Sequence, residues 1–442
     1  MRHAGCLKEF IRYAVLNMLG MTALSCYILA DTFFVAGGLG ADGLTALNLA
    51  IPIYSFIHGS GLMLGMGGAT RYSILKSQGK TKEGDLVFTR TMFMGVILAV
   101  MFQGAGLFGA QEIAGLMGAE GVIHEMCGMY LKVLMLFTPA FLINEILICF
   151  VRNDGAPQLS MAAMVGGSFS NIIMDYILIF PLDMGMFGAV LATGTSPLIS
   201  MLLLSRHFIR KKHGFHFRKG KMSVFESRFI LAGGIPSLVA ELSSGIVMII
   251  FNMIILELQG NTGVAAYGVI ANLALVVIAL YTGIAQGIQP LLSRYYGTGK
   301  KEEVQVIFRY GVIMVAVLSV LIYGLVFVQA DSIVAAFNGE GNEKLQEIAV
   351  RGMKYYFTGG VFAGINIVLS MYFTSRDCAG PAGMISLLRG FFVIIPLAFL
   401  LSALWQMTGL WLTFPITELL VAVLGTGWYL KEKRLLSERY ET

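Results

Sequence analysis

Five carboxylates lie inside long apolar stretches of this sequence, and they are Asp31, Glu145, Asp175, Glu241 and Glu418. An ionised carboxylate near the centre of a membrane costs roughly 2.5–3.5 kcal/mol on insertion scales, so each one is a candidate for binding or transport. Asn171 precedes Asp175 by one helical turn, which places both side chains on one face of a helix. Two carboxylates beside an amide could bind Na⁺ through oxygen ligands, or could share and pass a proton.

The elements that hold these residues must be membrane helices. The 442 residues are 57% hydrophobic and 13% charged, whereas soluble domains are about 25% charged. The mean hydropathy of +0.76 also excludes a disordered chain. The five cysteines are scattered and odd in number, which argues against a disulfide framework or a zinc site. The sequence has no HExxH, GxSxG or GxxxxGK[ST] motif, so we predict no enzymatic activity and an ion gradient as the source of energy.

Apolar stretches of the length that crosses a membrane, about 20 residues, occur twelve times. They predict an all-α polytopic membrane protein with twelve transmembrane helices. The predicted spans lie at about 12–37, 45–70, 88–110, 127–151, 158–181, 184–205, 229–256, 264–290, 306–329, 351–375, 381–402 and 408–430.

The basic residues predict the orientation of these spans. Both tails and the segments after even-numbered spans hold nearly all of the 31 Lys and Arg residues, and the exceptions are Lys132, Lys344, Arg351, Lys354 and Arg389. Basic segments stay on the cytoplasmic side, so both termini are predicted to be cytoplasmic. We expect a multi-pass protein of the plasma or inner membrane.

The chain also repeats its own motifs at a nearly constant offset. One repeated motif is a pair of glycines, Gly61 and Gly65, followed by Gly79; its counterpart is Gly283 and Gly287, followed by Gly299. A second is the segment 152–157, whose counterpart is 376–381. The repeat predicts two six-helix lobes, at 1–205 and 229–442, with a basic cytoplasmic linker at 206–228. Because each lobe has an even number of spans, the lobes must be related by a pseudo-twofold axis along the membrane normal.

Asp31 and Asp175 are predicted to lie at a similar depth, because each follows the cytoplasmic end of its helix by about 17 to 19 residues. We predict that they form a cation site with Asn171, and the alternative is a buried cluster that joins spans 1 and 5. Glu241 is the second lobe's candidate for contact with a cation or a drug. Further candidates for lining a substrate cavity, which could equally join helices, are Asn48, Glu145, Gln286, Gln289 and Asn366. Glu418 and Arg389 are expected to pair with each other.

Several motifs resemble those of the multidrug and toxic compound extrusion (MATE) family over nearly the whole chain. They are ADTFFVAG at 30–37, RNDGAP at 152–157, NIIMD at 171–175 and QP at 289–290 before Gly297. The resemblance implies a two-lobe antiporter that expels lipophilic, often cationic compounds in exchange for Na⁺ or H⁺. It also implies a cation site at Asp31, Asn171, Asp175 and, by spacing, Thr193. In a sodium-coupled member, Asp31, Asn171 and Asp175 would be the metal ligands.

Other branches of that family pair a Glu of span 7 with an Asp of span 10. Glu241 matches the Glu, but span 10 offers Asn366 and no Asp near its middle, so an ion site of that type is not expected in the second lobe.

We therefore predict a secondary active exporter that works by alternating access. Its partners would be small lipophilic or cationic molecules and the lipid bilayer, with no nucleic acid, no cofactor apart from the coupling H⁺ or Na⁺, and a monomeric state. The alternatives are a flippase for a lipid-linked precursor and a non-transporting scaffold or receptor. A flippase would need several cations for a pyrophosphate, whereas only Arg389 is predicted to lie well inside the membrane.

Overall fold

The structure is a computed structural model that describes residues 2–211, 213–220, 224–339 and 341–438. The chain within these ranges is almost entirely helical. The α-helices are Arg2–Ser77, Thr81–Leu116, Gly121–Leu136, Thr138–Asn153, Pro157–Ile179, Gly185–Ile209, Val224–Gly297, Lys301–Phe337, Glu343–Tyr356, Gly360–Thr374, Ala379–Leu387 and Ile394–Glu438. A 3₁₀ turn, Phe357–Gly359, and a π-helical turn, Leu388–Phe392, connect the last four.

Three of the helices contain a non-helical break and therefore form two spans each. Gly40 (φ 67°) and Gly260 (φ 64°) have the positive φ that glycine adopts readily, and the third break is at Trp405 and Gln406. By length and apolarity, eight helices in the described ranges could cross a membrane, or nine if the pair bent by 50° near Phe137 counts as one span. Because each of the three breaks divides one helix into two spans, these nine become twelve, and the prediction of twelve spans is confirmed.

We number the spans along the chain. Spans 1 to 6 are 2–39, 41–77, 81–116, 121–153, 157–179 and 185–209, and spans 7 to 12 are 224–259, 261–297, 301–337, 343–374, 379–404 and 407–438. Several helices are longer than the apolar stretches that predict them, because polar residues continue the helix beyond the membrane. Span 3, for example, covers 81–116, whereas its apolar stretch covers 88–110.

The first six spans and the last six form the two predicted lobes, which meet chiefly through spans 1 and 2 against spans 7 and 8. Two ion pairs repeat across this contact. Arg71 at the end of span 2 lies 3.3 Å from Glu226 at the start of span 7, and Arg294 at the end of span 8 contacts Glu9 at the start of span 1. A pseudo-twofold axis along the membrane normal produces such reciprocal pairs.

These pairs lie at the end of the molecule that holds the loops after the even-numbered spans, which we call the basic end. Here the backbones of the two lobes touch. A Cβ atom on Gly67 would lie 1.9 Å from the carbonyl oxygen of Ile230, and one on Gly234 would lie 1.8 Å from that of Met63. Spans 8 and 1 cross in the same manner at Gly287. Glycine alone permits these approaches, which close the space between the lobes at the basic end.

The linker between the lobes is anchored by Asp154, which directly follows span 4. Its Oδ2 accepts a hydrogen bond from the backbone N–H of Gly214 (2.6 Å) and lies 2.9 Å from Nε2 of His207. Its Oδ1 accepts from the hydroxyl of Tyr72 (2.7 Å) and from Lys76. Burial raises the pKa of this carboxyl, but the hydrogen bonds outweigh burial and lower it from 3.8 to about 2. The linker is therefore held to the first lobe by a charged residue.

The helical ends of the predicted linker 206–228 belong to the neighbouring spans, because helix continues to Ile209 and begins again at Val224. Phe215, between these ends, is fully buried and packs against Phe88 with ring centroids 4.6 Å apart. Residues 212 and 221–223 of the linker lie outside the described ranges.

Replacing Asp154 with asparagine should destabilise the first lobe by about 2 kcal/mol. This is the free energy that corresponds to the difference between the pKa of 3.8 and the lowered pKa of about 2. Because the folded pKa is below the unfolded one, this contribution is present above pH 3.8 and is lost as the pH falls through about 2. Thermal unfolding in detergent at pH 7, followed by size exclusion, measures the effect. Asp183→Asn, at an exposed carboxylate, is the control, and equal melting temperatures of the two variants would contradict the expectation.

Candidate functional site

The structure brings together the four residues that the sequence predicts for a cation site. Asp31 comes from span 1, Asn171 and Asp175 from span 5, and Thr193 from span 6. Asn171 and Asp175 have no exposed surface, and Thr193 and Asp31 are 4% and 8% exposed. The two carboxylates lie within hydrogen-bonding reach of each other. With its amide oriented to satisfy both neighbours, Asn171 donates to Oδ2 of Asp175 (3.0 Å) and accepts from the backbone N–H of Thr193 (3.3 Å).

Small residues allow these spans to approach one another. A Cβ on Gly38 of span 1 would lie 2.4 Å from the side chain of Ile179 in span 5, and one on Gly167 of span 5 would lie 3.3 Å from the backbone oxygen of Ser196 in span 6. Side chains at either glycine would push the spans apart. The close packing therefore keeps the polar groups of three spans at one level, away from lipid.

Tyr130 of span 4 is a further member of the site, and sequence analysis missed it. Its side chain is 3% exposed, and its hydroxyl lies close to the side chain of Thr193. The hydroxyl of Thr193 in turn donates to the carbonyl oxygen of Ala189 (3.1 Å). A tyrosine in an apolar span carries no signal by itself, because tyrosine is also a common packing residue.

Two oxygen atoms of the site, Oδ1 of Asp31 and Oδ1 of Asp175, are buried and have no hydrogen-bond partner within the described residues. Unsatisfied buried carboxylate oxygens are costly, so this arrangement favours binding of a positive species. A proton shared by the two carboxylates would remove their repulsion. The same oxygens, with the amide and hydroxyl oxygens nearby, are the ligand type that hard cations such as Na⁺ prefer.

A cavity lies one helical turn from this site, in the first lobe. Its volume, taken as the space open to the centres of water molecules, is about 50 Å³. Tyr27, one turn before Asp31, and Ser168, just before Asn171, line it. Two of the predicted cavity residues, Glu145 and Gln286, line it as well, and Gln286 is the contribution of the second lobe. Its other walls are mostly apolar, including Met21, Leu62 and Phe141.

Four other residues predicted to line a cavity lie elsewhere. Asn48 is exposed, because it points away from the packed face of span 2. Gln289 is fully buried in the contact between the lobes, where it donates to Thr70 (2.9 Å) and Asn153 (3.1 Å). Glu241 is half-buried and lies against Gly59 of span 2, outside the lining of this cavity.

Asn366 belongs to a separate cluster in the second lobe. It donates to the side chain of Glu418 (2.7 Å), which also accepts from Arg389 (2.8 Å). The expected pairing of Glu418 with Arg389 is therefore present. Arg389 lies in the π-helical turn 388–392, which sequence analysis did not predict. The cluster neutralises the buried carboxylate with a cation and an amide, although Oδ1 of Asn366 is buried without a hydrogen-bond partner within the described residues.

Arg152, the first residue of the RNDGAP motif, is the most buried cation near the cavity, with 1% of its surface exposed. It donates to Asn17 (2.6 Å) and to Gln286 (3.2 Å), and so it joins span 4 to spans 1 and 8. Its charge faces neutral acceptors at this lobe contact, and within the described part of the chain it contacts no carboxylate directly.

Comparison with known proteins extends this description. The family model described as MatE matches residues 17–177 and 236–404. The multidrug export protein MepA of Staphylococcus saprophyticus is 27% identical over 422 residues, which cover 94% of this chain and 92% of that protein. An outward-facing multidrug resistance MATE transporter of the MOP superfamily superposes with a TM-score of 0.92 at 22% identity, over 98% of this chain and 96% of that one. A MATE transporter in complex with MaL6 gives the same TM-score and identity, over 98% and 97%.

Proposed function

Since the chain belongs to the MatE family, we propose that it is an antiporter that exports lipophilic cationic compounds from the cell in exchange for H⁺ or Na⁺. Members of this family are transporters and not enzymes, and the chain is a multi-pass protein of the cell membrane. The observation that carries the proposal is the buried pair of Asp31 and Asp175, with unpartnered oxygens, one helical turn from a cavity. The name of the curated relative, a multidrug export protein, supports the same conclusion.

Coupling follows from the position of the carboxylates beside the cavity. When Asp31 and Asp175 are charged, their field favours a cationic compound in the cavity. When a proton or Na⁺ binds there, the field is neutralised and the compound is released. The ion and the compound then exclude each other, so movement of the ion down its gradient drives the compound out.

Alternating access requires the lobes to open and close at each end in turn. We assign the basic end to the cytoplasm, because Lys and Arg concentrate in its loops. The glycine crossings then close the cavity toward the cytoplasm in the state described here. The other state would separate Gly67 from Gly234 and open the cavity inward.

A flippase for a lipid-linked pyrophosphate is disfavoured by the charges of the cavity. Within the described residues, its lining includes Glu145 but neither lysine nor arginine. An acidic, largely apolar cavity suits a lipophilic cation better than a multiply charged anion. The transport proposed here involves no cofactor beyond the coupling ion, and a monomer contains the whole site.

Transport of a fluorescent lipophilic cation into proteoliposomes tests the proposal. Export moves the compound toward the ion-rich side, so we expect uphill uptake under an imposed pH gradient or an imposed Na⁺ gradient, and under only one of them. An ionophore that collapses the effective gradient should return uptake to the level of protein-free vesicles. No uptake under either gradient would contradict cation-coupled export of this class of compound.

A further inference from the structure

The cavity contains a second pair of ionisable groups that the coupling site does not use. Nδ1 of His58 in span 2 lies 3.9 Å from Oε1 of Glu145 in span 4. Their side chains are 9% and 14% exposed, and both line the cavity. The imidazole stacks on the ring of Tyr54, with centroids 5.9 Å apart and planes within 3°. The sequence gives no sign of this pair, because the two residues lie in different spans.

The partners of Glu145 leave it available to a ligand. Within the described residues, His58 is its ion-pair partner, at a distance that is long for a hydrogen bond. Arg152 interacts with it electrostatically from the same span, but directs its hydrogen bonds to Asn17 and Gln286. The carboxylate therefore attracts positive charge, and among the residues that the structure describes no lysine or arginine is bound directly to it.

The charged and titratable groups around the pair come from several spans. Glu241 of span 7 and Arg152 of span 4 act on Glu145 electrostatically. Tyr54, on the same span as His58, shares a short hydroxyl–hydroxyl hydrogen bond with Tyr27 of span 1, and Tyr54 also interacts with Glu145, Glu241 and Asp31. Together, the two tyrosines thus interact both with Glu145 and with Asp31 of the coupling site. Tyrosine and arginine keep their charge state near neutral pH, whereas an imidazole has a neutral and a protonated form.

We propose that His58 is an internal cation that competes with the substrate for Glu145. In its neutral form it leaves the carboxylate free to attract the positive charge of an organic cation, whose apolar parts contact Tyr54 and Phe141. In its protonated form it is itself the counter-ion of Glu145, and the organic cation loses this anchor. Release of the substrate into a more acidic solution is thereby favoured. This inference rests on the proposed function and adds a recognition element to it, separate from Asp31 and Asp175.

Equilibrium binding of tetraphenylphosphonium to the purified protein in nanodiscs, without any gradient, tests the inference. The wild type should bind about tenfold more weakly at pH 6 than at pH 8, because one charge is added about 4 Å from the anchoring carboxylate. His58→Gln should keep the affinity of pH 8 and lose the change of about tenfold that His58 contributes, so that only a pH dependence due to Asp31 and Asp175 remains. Glu145→Gln should weaken binding at pH 8 by about tenfold. His124→Gln, at a histidine whose side chain contacts the backbone of Gln111 outside the cavity, is the matched control.

A measurement on the unmodified protein covers the case in which a variant fails to fold. Calorimetry in buffers of different ionisation enthalpy should show more proton release on binding at pH 6 than at pH 8. Equal pH dependence of the wild type and His58→Gln, with binding intact in both, would overturn the role of His58 and leave the proposed function standing. Failure of the wild type to bind tetraphenylphosphonium at either pH would overturn both.

Discussion

Replacement of Asp175 with asparagine should reduce gradient-driven transport to the level of protein-free vesicles. The amide has the shape of the carboxylate and can still accept the hydrogen bond from Asn171, so the packing of spans 1, 5 and 6 should persist. It cannot release a proton at neutral pH, and it removes one of the two charges that would hold Na⁺. Coupling between two ligands typically corresponds to a change of about 5- to 150-fold in affinity, and without it uphill transport stops.

The measurement is uptake of a fluorescent lipophilic cation under whichever gradient drives the wild type. Asp42→Asn, at an exposed carboxylate at the start of span 2, is the matched control and should transport normally. Equal melting temperatures of the two variants would show that the loss is not a folding defect. Uptake by Asp175→Asn at the wild-type rate would contradict the coupling mechanism.

The sequence was sufficient for the spans and for the depth of their polar residues. Composition and length predict twelve spans, and distance from a helix end predicts that Asp31 and Asp175 share a level, which the structure shows. The break between the first two spans also falls in the predicted interval, at Gly40. These features depend on distance along a helix axis, which a fixed rise per residue determines.

Rotation of a span about its axis is what the sequence could not predict. Most faces of a membrane helix are apolar, whether they meet lipid or protein, so no polar face orients the span. The sequence therefore makes Asn48 a candidate for the cavity or for a helix contact, although it is exposed. It leaves the same two roles open for Gln289, which joins the lobes. The approach of His58 to Glu145 depends on two such rotations at once. The role of Gly234 likewise depends on its facing Met63 across the lobe contact.

An alanine at Gly234 should prevent closure of the basic end and abolish transport. Its Cβ would lie 1.8 Å from the carbonyl oxygen of Met63 and 2.5 Å from the carbonyl carbon. Both are backbone atoms, so no rotamer change can relieve the overlap and the lobes must separate. The protein would then favour the state that is open at the basic end. A transporter confined to one state cannot complete a cycle, so the expected loss is complete although only one methyl group is added.

Gly233→Ala is the matched control, because a Cβ there would meet nothing closer than the Cα of Gly67, at 3.5 Å. We expect it to transport within about twofold of the wild type, as substitutions that add no strain usually do. Cys149, which lines the cavity, reports the state of the lobes when the other four cysteines are replaced. An impermeant maleimide applied at the basic end should label it faster in Gly234→Ala than in Gly233→Ala. Since the two variants add the same methyl group at adjacent positions, equal labelling and equal transport would show that the glycine crossing does not control access to the cavity.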